Sequence, residues 1–89
     1  MQQMMKQAQE MQKQLERAKQ DLAETAIEAT AGGGMVTVEM SGADELLNLK
    51  IKPEAVDPDD VEMVEDLVIA AINEAISQVT KLREETLPI

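Results

Sequence analysis

The chain has no cysteine, no histidine, and no Phe, Tyr or Trp among its 89 residues. Each absence excludes a class of chemistry. Without cysteine there is no disulfide and no thiolate metal site. Without histidine, the usual neutral-pH general base and the commonest metal ligand are both missing. Without aromatic rings there is no platform on which single-stranded bases could stack. No run of about 18 apolar residues occurs, so nothing is expected to span a membrane. The opening "MQQMMKQAQEMQ" is rich in glutamine and broken by charge, unlike a secretory leader. The expected compartment is the cytoplasm. Positive charge is also scarce: 8 Lys and Arg stand against 18 Asp and Glu, a net charge of −10. For the particle as a whole, that balance disfavours nucleic acid and anionic lipid.

What is left is carboxylates, a few cations, amides and two serines. This is a poor toolkit for an enzyme, and no metal, cofactor or small-molecule substrate is expected. The length suits one small domain. A domain of this size buries only about 60–65% of its unfolded surface. Its core therefore needs a supplement, and self-association is the available one.

The first segment places Met4, Ala8, Met11, Leu15, Ala18 and Leu22 at alternating spacings of four and three. That is a heptad seam, narrower than an ordinary core-facing stripe. Good helix formers fill the rest. The spacing predicts a helix over residues 2–23, about 33 Å long, that pairs with another helix.

Residues 24–31, "ETAIEATA", bring β-branched Ile and Thr, and the helical spacing stops. "GGG" at residues 32–34 breaks the chain. "MVTVEMSG" then alternates Val36, Val38 and Met40 with Thr37, Glu39 and Ser41. "LLNLKIK" repeats the alternation with Leu47, Leu49 and Ile51 inward. A period of two predicts half-buried strands, here a three-stranded antiparallel meander over residues 24–52. Pro53 stops the third strand. A second long helix is expected over residues 57–84, with Asp57 at its N-cap, Pro58 at N1, and Asp59 and Asp60 in the first turn. Val56 and Val61 are spaced for a hydrophobic staple. Met63, Leu67 and Ile69 widen the apolar face of its first half, as if that part had two neighbours. One is the sheet, and the other is expected to be a second subunit. Residues 85–89 are expected to be a frayed tail.

These readings predict an α+β chain in the order αβββα, a single domain over residues 1–89. In a meander the first helix joins the sheet at one end and the second starts from the other. A second helix of about 27 residues spans roughly 40 Å, against roughly 23 Å for seven-residue strands. Folded back across the sheet, it should overshoot on the side of the first helix. The two tails would then pair antiparallel as one arm, Leu15, Ala18 and Leu22 meeting Ile76, Val79 and Leu82.

Four of the eight cations lie in the first helix. Lys6 and Lys13 fall at heptad position f and Arg17 at c, away from the seam, with Lys19 at e. The expected overshoot adds Lys81 and Arg83 to the same limb. Acidity is concentrated elsewhere, chiefly in residues 57–66. Screening over about 8 Å in physiological salt lets a basic limb act apart from a distant acidic body. On spacing alone, ion pairing within a solvated helix is favoured over phosphate binding, since Glu10–Lys13, Glu16–Lys19 and Arg17–Asp21 sit at i,i+3 or i,i+4. Other motifs carry less. "AGGGM" lacks the Gly-Lys-Ser/Thr of a phosphate loop. "DPDDVE" lacks the central glycine and the twelfth-position glutamate of a calcium loop.

Three segments, "MMKQAQEMQKQL", "TAGGGMVTVEMSG" and "LKIKPEAVDPDDVEMVEDLVIAAINEA", in this order and spacing, together resemble the YbaB/EbfC family of bacterial nucleoid-associated proteins. The resemblance implies a cytoplasmic, nucleoid-associated homodimer shaped like tweezers, with sheets and parts of the long helices at the interface and paired helices as arms. It implies binding of duplex DNA through those arms, and so points to Lys6, Lys13, Arg17 and Lys19, with Lys81 and Arg83, as DNA contacts. It brings no catalytic residue. An alternative is an interaction module: coiled-coil arms on a β platform are also similar in outline to prefoldin-type holdases, and the "MQQMM" tip could grip apolar chains.

Overall fold

The change of period along the chain, from heptad to two and back, is matched element for element in the computed structural model. It describes residues 2–86. The order is α1 (Gln2–Glu24), β1 (Ala26–Ala31), β2 (Val36–Ser41), β3 (Leu46–Ile51), a short 3-10 turn (Pro53–Ala55) and α2 (Val61–Thr86). The strands form an antiparallel meander, β1-β2-β3. The expected αβββα order is what the chain adopts.

The β1–β2 register places Ile27, Ala29 and Ala31 opposite Met40, Val38 and Val36. This face carries the core. Ala29, Val36, Val38 and Met40 are buried under Ala71, Ala75 and Val79 of α2, with Leu67, Val68 and Ile72 packed at its margin. Three consecutive glycines with positive φ (Gly32 +64°, Gly33 +67°, Gly34 +93°) turn β1 into β2, a backbone that side chains with a Cβ rarely adopt. At Gly32 a Cβ would also press on the Leu67 Cδ2 at 2.8 Å. The outer face is polar, and Glu28 stands directly opposite Glu39 there.

The third strand differs from expectation. Leu49 and Ile51 lie opposite Val38 and Val36, but the register slips between Glu39 and Met40, so that Leu46 faces Met40. Leu47 is the extra residue of a β-bulge, and it is exposed. Nor is the apolar row of β3 buried: Leu49 is 40% exposed, and Leu46 and Ile51 are similarly open. A helix is about 10 Å across and covers about two strands spaced about 4.8 Å apart. α2 packs on β1 and β2, which leaves β3 uncovered.

The start of α2 is also displaced. Asp57–Asp60 form a turn, with the Asp60 amide donating to the Asp57 carbonyl at 2.9 Å and the Asp59 amide to the Asp57 carboxylate at 2.9 Å. Pro58 occupies the second position of that turn, which its fixed φ suits. Asp60, not Asp57, is the N-cap: its carboxylate accepts the Met63 amide at 3.3 Å. Val56 and Val61 are both exposed and form no staple. At its other end α2 continues through Thr86, so Glu85 and Thr86 of the expected tail are helical. Residues 87–89 lie outside the described part of the chain.

The largest difference concerns the arm. The substantial packing of α1 is against β2, not α2. All of residues 2–14 are exposed, and the molecule measures 69 × 17 × 16 Å. Leu67 sits at the glycine turn, so the first turns of α2 extend past that end of the sheet, while Arg83 reaches the β2–β3 turn at the other end. The excess length of α2 therefore lies mainly away from α1. The loop over residues 52–60 carries the chain outward before the helix begins. Within one chain α1 is a lone projecting rod, and the outer half of its seam is bare: Met4 is 74% and Met11 70% exposed, while Leu15 and Ala18 are half-buried and Leu22 is buried.

Candidate nucleic-acid interface

The root of α1 is fixed by backbone geometry. Leu22 is buried, and its carbonyl accepts the amides of Thr25 (3.1 Å) and Gly42 (2.9 Å). The Gly42 amide also donates to the Thr25 carbonyl at 3.0 Å. This node joins α1 to the β2–β3 turn. The buried Ser41 shapes the turn: its hydroxyl accepts the amides of Ala43 and Glu45, each at 3.2 Å.

From this root α1 presents two opposite faces. One is the bare seam. On the other, Gln3, Lys6, Gln7, Glu10, Lys13, Gln14 and Arg17 follow the three-to-four spacing of a single helix face. Lys6, Lys13 and Arg17 lie within one narrow stripe, about 10 Å and then 6 Å apart along the axis. Among the described residues the one ion pair is Arg83 with Asp44. The intrahelical pairs anticipated from spacing are not made, although Glu10 stands within the stripe between Lys6 and Lys13.

The other expected cations do not join it. Lys19 is rotated toward the seam, where it lines a crevice of about 300 Å³ with Leu22, Gly42, Ala43 and Arg83. Arg83 is half-buried there and gives its guanidinium to Asp44. Lys81 is exposed on the opposite flank of α2, two residues and about 200° of helix rotation from Arg83. The six candidates therefore form a stripe of three, a pair at the root and one outlier. Asp44 was missed in the sequence, because a pairing across 39 positions leaves no local signal.

The densest acidic cluster lies at the far end, although Asp21, Glu24, Asp44, Glu45, Glu84 and Glu85 stand near the root of α1. Asp57, Asp59, Asp60, Glu62, Glu65 and Asp66 precede or open α2, beyond the glycine turn, while α1 leaves the sheet at the opposite end. A six-residue strand alone separates the two ends by about 20 Å, more than twice the screening length of about 8 Å. The outer sheet face sets Lys50 beside the Glu28–Glu39 pair, so its charge is mixed. The α1 stripe sets three exposed cations, Lys6, Lys13 and Arg17, on one helix face.

The expected interface residues are also divided. Ile69 is 57% exposed and shares a flank of α2 with Ile76 and Arg83. Since Arg83 ties that flank toward the β2–β3 turn, Ile69, Ile76 and the bare β3 row border the same open side. Met63 lies on the other flank, part-exposed, and Leu67 is packed against the core and the glycine turn.

A sequence model of the YbaB/EbfC DNA-binding family matches residues 1–88. The chain is 49% identical over 83 residues to a Nucleoid-associated protein of Chloroflexus aurantiacus, covering 93% of this chain and 83% of that one. It is 55% identical over 73 residues to a Nucleoid-associated protein of Alkaliphilus metalliredigens, covering 82% and 64% respectively. The crystal structure of an uncharacterized Helicobacter pylori protein superposes with a TM-score of 0.84 at 25% identity, covering 96% of this chain and 89% of that one.

Proposed function

The chain belongs to the YbaB/EbfC DNA-binding family, and on that premise we propose that it binds duplex DNA as a nucleoid-associated homodimer, by phosphate contacts from the outer stripe of α1. The observation that carries this reading is the alignment of Lys6, Lys13 and Arg17, none in an ion pair among the described residues, on a rod that projects away from the acidic cluster at residues 57–66. Long flexible cations on a convex helix face suit the phosphate backbone, which sets position and affinity without reading sequence. Gln3, Gln7 and Gln14 supply neutral donors between them. The role this fits is chromosome organisation or broad gene regulation.

What one chain leaves bare supports dimerisation. The outer seam of α1 at Met4 and Met11, the β3 row of Leu46, Leu49 and Ile51, and Ile69 and Ile76 are apolar surfaces left partly or largely exposed in the chain. A second copy buries them and presents two rods, each with its stripe of three cations. The holdase alternative started from arms paired within one chain, which α1 and α2 do not make.

The test is DNA affinity against salt. Six stripe cations on two arms give a slope of log K against log salt of about −5. Reversing Lys13 and Arg17 to Glu should cut that slope by more than half and leave the fold intact, because both are exposed. Undetectable binding at 50 mM salt, or a slope near zero, sinks the reading.

A further inference from the structure

Arg83 and Asp44 form the one ion pair among the described residues, and it sits at the root of the DNA-binding arm. Asp44 is held in the left-handed region at φ 63°, the one described non-glycine residue with positive φ. In the single chain both side chains are part-exposed, at 35% and 46%. Arg83 stands about 10 Å beyond Ile76 along α2, at the end of the flank assigned to the second copy, where an incoming anion can reach the pair. The neighbouring crevice has an apolar floor of Leu22, Gly42 and Ala43, and Lys19 is its second cation.

We propose that Asp44 is an internal stand-in for a DNA phosphate: it occupies Arg83 in the free protein and must be displaced before Lys19 and Arg83 clamp a backbone phosphate, with the attached sugar against the apolar floor. The stripe of α1 then makes the standing contacts, and the root makes a gated one. The inference rests on the DNA-binding reading above and adds a competitor to it. Its physical signature is in the ions. When Arg83 moves from Asp44 to a phosphate, the phosphate sheds a counterion while the freed carboxylate recruits cations, and the two changes offset. Without the carboxylate, the release stands alone.

The experiment compares the intact protein with Asp44→Asn, which keeps the shape and tolerates the left-handed backbone. Asp44→Gly serves as a second variant better suited to that φ. Glu54→Gln makes the same change of net charge at the opposite end of the sheet. Binding to one duplex is titrated between 50 and 200 mM salt, with thermal melts to show folding. Asp44→Asn should bind up to about fivefold tighter at low salt. Its salt slope should steepen by up to about 0.9 per protomer, an extra loss of about 3.5-fold per protomer across that range. Glu54→Gln should match the parent, and adding Arg83→Ala to Asp44→Asn should abolish the gain. If the parent binds and the Asp44 variants share its affinity and slope, or if the gain survives loss of Arg83, the competitor is refuted while the DNA reading stands. If parent and variants all fail to bind at 50 mM salt, the DNA reading fails and the competitor with it.

Discussion

The Leu22 carbonyl accepts the Gly42 amide at 2.9 Å and lies 2.3 Å from where a Cβ on residue 42 would stand. The close approach that makes this bond is open only to glycine. Because the obstructing atom belongs to backbone, no side-chain rotation relieves it.

Gly42→Ala should therefore move α1 off its root. Overpacking of this kind costs about 3 kcal/mol, a large share of the stability of a chain this small. The expected outcome is a melting temperature lower by more than 10 °C, with α1 amides losing hydrogen-exchange protection first. A variant that melts with the parent would show that the node does not fix the arm.

The cap of α2 gives a finer test. Asp60→Ala removes the acceptor for the Met63 amide and should cost about 1 kcal/mol, or roughly 4–8 °C in melting temperature. Asp57→Ala breaks only an exposed turn contact to the Asp59 amide and should cost less. The reverse ranking in paired thermal melts would place the helix start at Asp57.

That ranking shows where the sequence is legible and where it is not. "DPDD" offers two caps, and Pro58 fits N1 of a helix as well as the second position of a turn, so local chemistry cannot choose between them. Leu46 and Leu47 pose the same difficulty, since one bulge shifts the parity that assigns inward residues, and nothing nearby marks it. The αβββα order was readable because heptad and period-two patterns differ over long stretches. The stripe of Lys6, Lys13 and Arg17 was readable because one helix sets their spacing. The root pair was not: the placing of Lys19, Asp44 and Arg83 depends on how the loop before α2 aims the helix. The same loop sent the excess of α2 away from α1 and left the seam without its expected partner in the chain.

The bare β3 side makes the dimer testable. Leu49→Asn with Ile76→Asn places polar groups on surfaces that are 40% and 42% exposed in one chain. In a monomer such sites cost little. In a dimer they would enter an interface of the order of 1,200–2,000 Å², where an amide without a partner costs about 1–3 kcal/mol. Light scattering at micromolar concentration should find the parent dimeric and the double variant shifted to monomer with its helical content retained. A folded, monomeric parent would remove the second arm from the DNA-binding proposal.

Glu10 interrupts the basic stripe. It stands four residues after Lys6 and three before Lys13, and pairs with neither. A phosphate held by those lysines would lie close to its carboxylate. At about 7 Å in water, two like charges repel by about 0.6 kcal/mol, or roughly threefold in affinity per arm. Glu10→Gln should therefore tighten DNA binding by about that factor at low salt, with the advantage fading as salt screens it. Gln is as good a helix former as Glu, and the site is exposed, so the melting temperature should not move. A Glu10→Gln protein that binds duplex no better than the parent at 50 mM salt would place the DNA on a different face of α1, and the bare seam would then be the surface to examine by charge insertion.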